Sequence, residues 1–281
     1  MAPVVPRAPF ALTTAQEQLL DQILAKWEKE SSKVSTFVCK FTEFEIDPTF
    51  GPPKFNYTIS ESTGELTFKS PDRGEYEIYR VRKWNKEKDG YVPDDEAIKH
   101  WMCDGKSIYE WNHREKLLNV NPLPKELQGK AIADGPLPFV FGAKADELKR
   151  RYWMRDVTPP NNVGKQIWLE AHPKFQQDAA NFQRATVILD EKTFLPKALQ
   201  LFLPGIAAAA GKEQAYTALA FEPPSVNNPL NTLIGKFMKP TILPFGWKWV
   251  DVKPSDAAPP QETPSSSAPA QAERPAVGQR K

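Results

Sequence analysis

Thr36-Phe37-Val38-Cys39-Lys40-Phe41-Thr42 sets the architecture, because its bulky residues fall at every second position. In an extended chain successive side chains point to opposite faces, so this period of two predicts a strand with one apolar side, Phe37, Cys39 and Phe41, and one mixed side. The pattern recurs outward along the chain. Leu66 and Phe68 alternate with Thr67 and Lys69, and Tyr76, Ile78 and Arg80 alternate with Glu75, Glu77 and Tyr79. Further strands are predicted near 98–103, 106–112 and 116–120, with Asp104-Gly105 between the first two as a tight hairpin turn. Strand patterns resume at 152–157, 166–172, 184–190, 197–202 and 214–221, and a last one lies near 245–250.

Two helical signals flank this meander. Thr14 and Glu17 have the spacing of a capping box, and Leu20, Ile23, Leu24 and Trp27 then share one helical face. A helix with one apolar face must cover something apolar. Between residues 122 and 150, prolines and Gly135 punctuate short helical pieces around Lys125–Ala133 and Phe139–Arg150. The fold class expected is α+β and predominantly β: an incomplete antiparallel β-barrel, or half-barrel, with helices covering its open mouth. The boundaries expected are a Pro-rich lead over 1–12, one domain over 13–252, and a tail over 253–281. The tail has six prolines and no aromatic, Leu or Ile residue. Such a segment buries too little apolar area to offset its ordering entropy, which predicts disorder.

Bulk chemistry excludes several classes. The 281 residues carry 37 Lys+Arg against 35 Asp+Glu, a net charge of +2, without the basic excess of a nucleic-acid binder. No apolar run reaches the roughly 18 residues of a membrane-spanning helix. There is no GxSxG, phosphate-loop, GxGxxG or HExxH motif, so neither an enzyme nor a cofactor is expected. His100, His113 and His172 have no metal-type spacing to another His, Cys or carboxylate, and no metal site is expected. Cys39 and Cys103 each sit inside an apolar strand. They read either as small core residues or as one disulfide, and a spacing of 64 does not separate the two.

The motifs resemble a known family. Ser35–Thr42 after the amphipathic helix, Gly64-Glu65-Leu66-Thr67-Phe68-Lys69-Ser70-Pro71, and Cys103-Asp104-Gly105-Lys106-Ser107-Ile108-Tyr109-Glu110-Trp111 are similar, in that order, to the strand signatures of the LolA-like outer-membrane lipoprotein carriers. The likeness runs over about residues 15–252. It implies a half-barrel with a hydrophobic cavity and a helical lid that accepts acyl chains, in a monomeric, exported bacterial protein of the periplasm or cell envelope. Met1–Arg7 then reads as the Pro-rich lead of a mature exported chain. Where the carriers have a strand-end arginine this chain has Ser70, and a neutral hydroxyl cannot supply a guanidinium fork. That departure points to a divergent relative rather than the carrier itself.

Under this resemblance Phe37, Cys39, Phe41, Leu66, Phe68, Tyr76, Ile78, Tyr109 and Trp111 line the cavity, and Leu137, Phe139 and Phe141 supply the lid. The function expected is non-enzymatic binding of lipid or lipoprotein acyl chains, without nucleic acid. The same stripe can equally pack as a dry core, in which case the fold serves a structural or interaction role with its cavity filled.

Overall fold

The computed structural model describes residues 7–125, 128, 139, 144–162, 164–204, 214–229 and 236–251. The lead over 1–6, the predicted helical piece and lid residues at 126–127, 129–138 and 140–143, and the tail from 252 lie outside the described residues.

Helix α1 (Thr14–Ser31) begins one residue earlier than the Thr14/Glu17 reading. Thr13 is the N-cap: its hydroxyl accepts from the Gln16 backbone, and the Gln16 side chain accepts from the Thr13 backbone N–H. Thr13 and Gln16 satisfy the same reciprocal spacing with glutamine in place of glutamate, and Leu20, Leu24 and Trp27 are the buried residues of the helix.

The chain then builds a meander of β1 (Thr36–Ile46), β2 (Thr58–Lys69), β3 (Arg73–Asn85), β4 (Gly90–Pro93), β5 (Lys99–Asp104), β6 (Ser107–Asn112) and β7 (Leu117–Pro122). The charged segment Asn85–Asp95 is itself a hairpin, with β4 folded back on β3. After α2 (Ala145–Arg151) come β8 (Tyr152–Asp156), β9 (Gln166–Pro173), the single turn α3 (Gln176–Ala179), β10 (Arg184–Asp190), β11 (Pro196–Phe202), β12 (Tyr216–Phe221), β13 (Ser225–Val226) and β14 (Lys248–Asp251). These strands form one open sheet in the order β14-β7-β6-β5-β3-β2-β1-β12-β11-β10-β9-β8, with β4 on β3 and β13 on β1. Among the described strands every pairing is antiparallel except β14 with β7.

Two meanders are therefore sewn together at their first and last strands. The second starts at the far edge with β8, and works back until Phe41 lies opposite Phe221 and Ile46 opposite Tyr216. Asn227, with φ of 50°, secures the seam. Its Oδ1 accepts from Ser35 N at 2.8 Å and Thr36 N at 3.1 Å, and its Nδ2 donates to Lys33 O at 2.7 Å.

The alternation slips once inside β3. Thr63 faces Arg80 while Gly64 faces Ile78, so Tyr79 is an extra, bulged residue. The face carrying Tyr76 and Ile78 continues at Val81, which is buried, and not at the exposed Arg80 as the simple alternation predicts.

Candidate ligand-binding core

Cross-strand partners share a face, so the register fixes which side chains meet. Phe37 stands opposite Phe68, Cys39 opposite Leu66 and then Tyr76, and Phe41 opposite Gly64 and then Ile78. Gly64 makes room for Phe41: a Cβ there would fall 2.5 Å from the ring Cζ. The Phe41 ring stacks on Tyr76 at 5.0 Å, and Tyr76 on Trp101 at 5.9 Å. Beyond the seam the same face continues through Leu219, Leu199, Val187 and Leu169, giving an apolar surface nine strands wide from β5 to β8.

Cover for this inner face comes from Leu20, Leu24 and Trp27 of α1, and from Phe139, Leu148 and Phe182. Phe139 lies 5.0 Å from the Tyr152 ring and 6.0 Å from Phe182. Phe37, Cys39, Phe41, Leu66, Phe68, Ile78 and Phe139 are all 0–5% exposed within this cluster, and Tyr76 packs at its margin. Leu137 and Phe141 lie outside the described residues.

Tyr109 and Trp111 require correction. The Asp104–Ser107 hairpin places Met102 opposite Tyr109 and His100 opposite Trp111, whereas the inner-face residues of β5, Trp101 and Cys103, face Glu110 and Ile108. Tyr109 and Trp111 therefore point from the other side of the sheet. There they form a second core with Met102, Leu118 and Val120, beneath Phe237 and Leu243. The cause is the turn: Asp104 Oδ1 accepts from Lys106 N and Ser107 N, each at 2.8 Å, closing a two-residue loop that fixes the phase of β6.

The inner stripe does not end at Phe41. The same period carries it to Glu43 and Glu45, opposite Ser62 and Ser60. Glu43 is buried, accepts from Tyr76 Oη at 2.7 Å and lies 3.5 Å from Lys99 Nζ; burial pushes the Glu45 carboxyl above its usual range. The apolar floor thus has a polar end. The pattern F-x-C-x-F-x-E-x-E over residues 37–45 carries this polar end in the sequence itself, beyond the aromatic stripe.

On the outer face, Glu75, Glu77 and His100 bring their ligand atoms within 4.8 Å of one another, a set able to hold a metal ion. No sequence spacing announces it because β3 and β5 meet only through the sheet. A cation is already supplied there: Lys236 Nζ sits 2.7 Å from Glu65, 3.0 Å from Thr67 Oγ1 and 3.7 Å from Glu75. His113 packs edge-on against Trp247 at 5.1 Å, and His172 pairs with Glu170 at 3.0 Å, so the three histidines do not converge. Among the described residues, one surface cleft lies at the β8–β9 edge of the sheet and another opens beside α1, where it reaches Ile167 and Phe194 of the inner core. The first, of about 410 Å³, is lined by Arg7, Trp153, His172 and Gln183, and the second, of about 360 Å³, by Ile23, Lys26, Asn162 and Phe194.

No protein-family profile matches the chain, and no curated protein matches it. Solved structures do resemble it. An uncharacterized conserved protein from Thermus thermophilus is 12% identical, with 85% of this chain and all of that one covered at a TM-score of 0.42. A LolA superfamily protein from Nitrosomonas europaea is 10% identical, covering 82% and 99% at 0.33. A putative outer membrane lipoprotein-sorting protein domain from Vibrio parahaemolyticus is 10% identical, covering 75% and 94% at 0.32. The chain is thus similar, at 10–12% identity, to solved structures that include LolA-superfamily and lipoprotein-sorting proteins.

Proposed function

We propose that this protein is an exported, non-enzymatic binder of lipid or lipoprotein acyl chains, held against the inner face of the half-barrel formed by its sheet. One observation carries the reading. Among the described residues, an apolar floor nine strands wide is covered by α1, by Leu148 of α2 and by the aromatic rings of Phe139 and Phe182 rather than by a second sheet. A helix resting on such a floor can yield to an acyl chain without breaking any strand pairing. Each methylene buried in its place contributes roughly 0.8 kcal/mol before ordering costs, so part of one chain offers several kcal/mol. The three motifs shared with the carriers support the same reading, and Ser70 separates the chain from their arginine-gated handover.

A second reading has its own support. Phe41, Tyr76, Phe139, Tyr152 and Phe182 already pack ring on ring, as a filled interior would. In that case the fold is kept as a structural or interaction module. Native mass spectrometry of protein purified from cells distinguishes the two. Bound lipid, together with competition by a fluorescent fatty acid, is the outcome expected; lipid-free protein that ignores the probe leaves only the filled module.

A further inference from the structure

Between Glu222 and Asp251 the chain has no Asp or Glu, but it has Lys236, Lys239 and Lys248. Residues 236–251 of this stretch are a strap across the outer face whose apolar side chains divide into two sets. Phe237 and Leu243 are sunk in the outer core, and Trp247 rests on His113. Met238, Ile242 and Phe245 point away from the protein, at 68%, 86% and 104% exposure. The tip is a tight turn: Trp247 N donates to Pro244 O at 3.1 Å and Gly246 takes φ of +85°, which leaves Phe245 at the apex. Pro240 and Pro244 stiffen the backbone, so these side chains are held outward with little left to order on contact.

The cations border this apolar crest. Lys239 Nζ lies 5.5 Å from the Trp249 ring centroid, and Lys248 N donates to Lys116 O, which brings the exposed Arg114 and Lys116 of the neighbouring turn alongside. The one carboxylate of that turn, Glu115, accepts from Asn112 at 3.2 Å. Protruding apolar points on rigid turns, bordered by Trp and Lys and with Asp251 at the far end as the strap's one carboxylate, match the interface of a negatively charged bilayer. A protein partner would instead need a groove cut to three separate projections.

We infer that the strap seats the protein on an anionic phospholipid surface, with Met238, Ile242 and Phe245 entering the headgroup–acyl boundary while Lys239, Lys248, Lys116 and Arg114 face lipid phosphates. The inference stands apart from the cargo reading, because it uses the outer face and needs no cavity. Flotation of the full chain with vesicles tests it. The protein should rise with phosphatidylglycerol/phosphatidylethanolamine vesicles, less with phosphatidylcholine, and less again as salt increases. Phe245→Asp, Ile242→Asp and the pair Lys239→Glu/Lys248→Glu should each weaken binding about tenfold or more, with unchanged thermal unfolding and unchanged fatty-acid probe binding. A chain that stays at the bottom of the gradient, or variants that float like the parent, would overturn it. So would a concentration-dependent dimer that Phe245→Asp dissolves while flotation persists, since the occupant would then be a second copy.

Discussion

Cys39 and Cys103 both lie on the inner face, but β2 and β3 separate their strands. Three strand spacings amount to roughly 14 Å, about twice the Cα separation a disulfide can bridge, so the two are free thiols. Burial pushes Cys39 up to about 12 and Cys103 up to about 11. Both should therefore resist iodoacetamide at pH 8 in the native state and react together in denaturant; fast labelling of folded protein would contradict their burial. Asp190 is shifted the opposite way. Backbone N–H of Thr193, then Lys197, the Thr193 hydroxyl and Lys192 N hold its carboxyl down to about 2, against 3.8 for the free group. A lowered folded value means stability that is present above the unfolded value and is lost as pH falls from 3.8 toward 2. Asp190→Asn should cost on the order of 1–2 kcal/mol at pH 7, after discounting its partial exposure, and almost nothing near pH 2. Urea midpoints of the two proteins at both pH values check this.

Elements obey local chemistry until they meet a turn or a bulge. The capping spacing marks where α1 starts to within one residue, and the period of two marks most strands closely, because both signals are carried by neighbours in sequence. Phase across a connection is another matter. The bulge at Tyr79 and the two-residue loop after Asp104 each decide which face the following residues take, and a shift of one residue reverses it. Tyr109 and Trp111 lie on the outer face for that reason. The junction of α1 with β1 depends on Asn227, nearly 200 positions away, whose side chain bonds Lys33, Ser35 and Thr36 while its backbone holds a positive φ. Asn227→Ala should destabilise by about 1–3 kcal/mol and speed amide exchange at Ser35 and Thr36. Unchanged exchange there would show that the seam is held by the β1–β12 ladder alone.

At the scale of the molecule, one sheet carries two cores, the larger under α1 and the smaller under the 236–251 strap. They should separate by mutation. Leu118→Ala, in the outer core, should cost about 2–5 kcal/mol yet leave fatty-acid probe affinity unchanged, whereas Phe41→Ala should alter both. Equal loss of probe binding in the two folded variants would mean the faces are not independent. Sequence alone determined that the chain is strand-rich, which residues alternate, and that an amphipathic helix precedes the first strand, since these follow from the spacing of apolar side chains along a local backbone. Tertiary structure alone decided that β12 returns to β1, that β7 takes a parallel partner, and that Glu75 and Glu77 meet His100. Those pairings are made by hydrogen bonds between segments far apart in the chain, and a period of two names two faces without saying which distant strand shares either one.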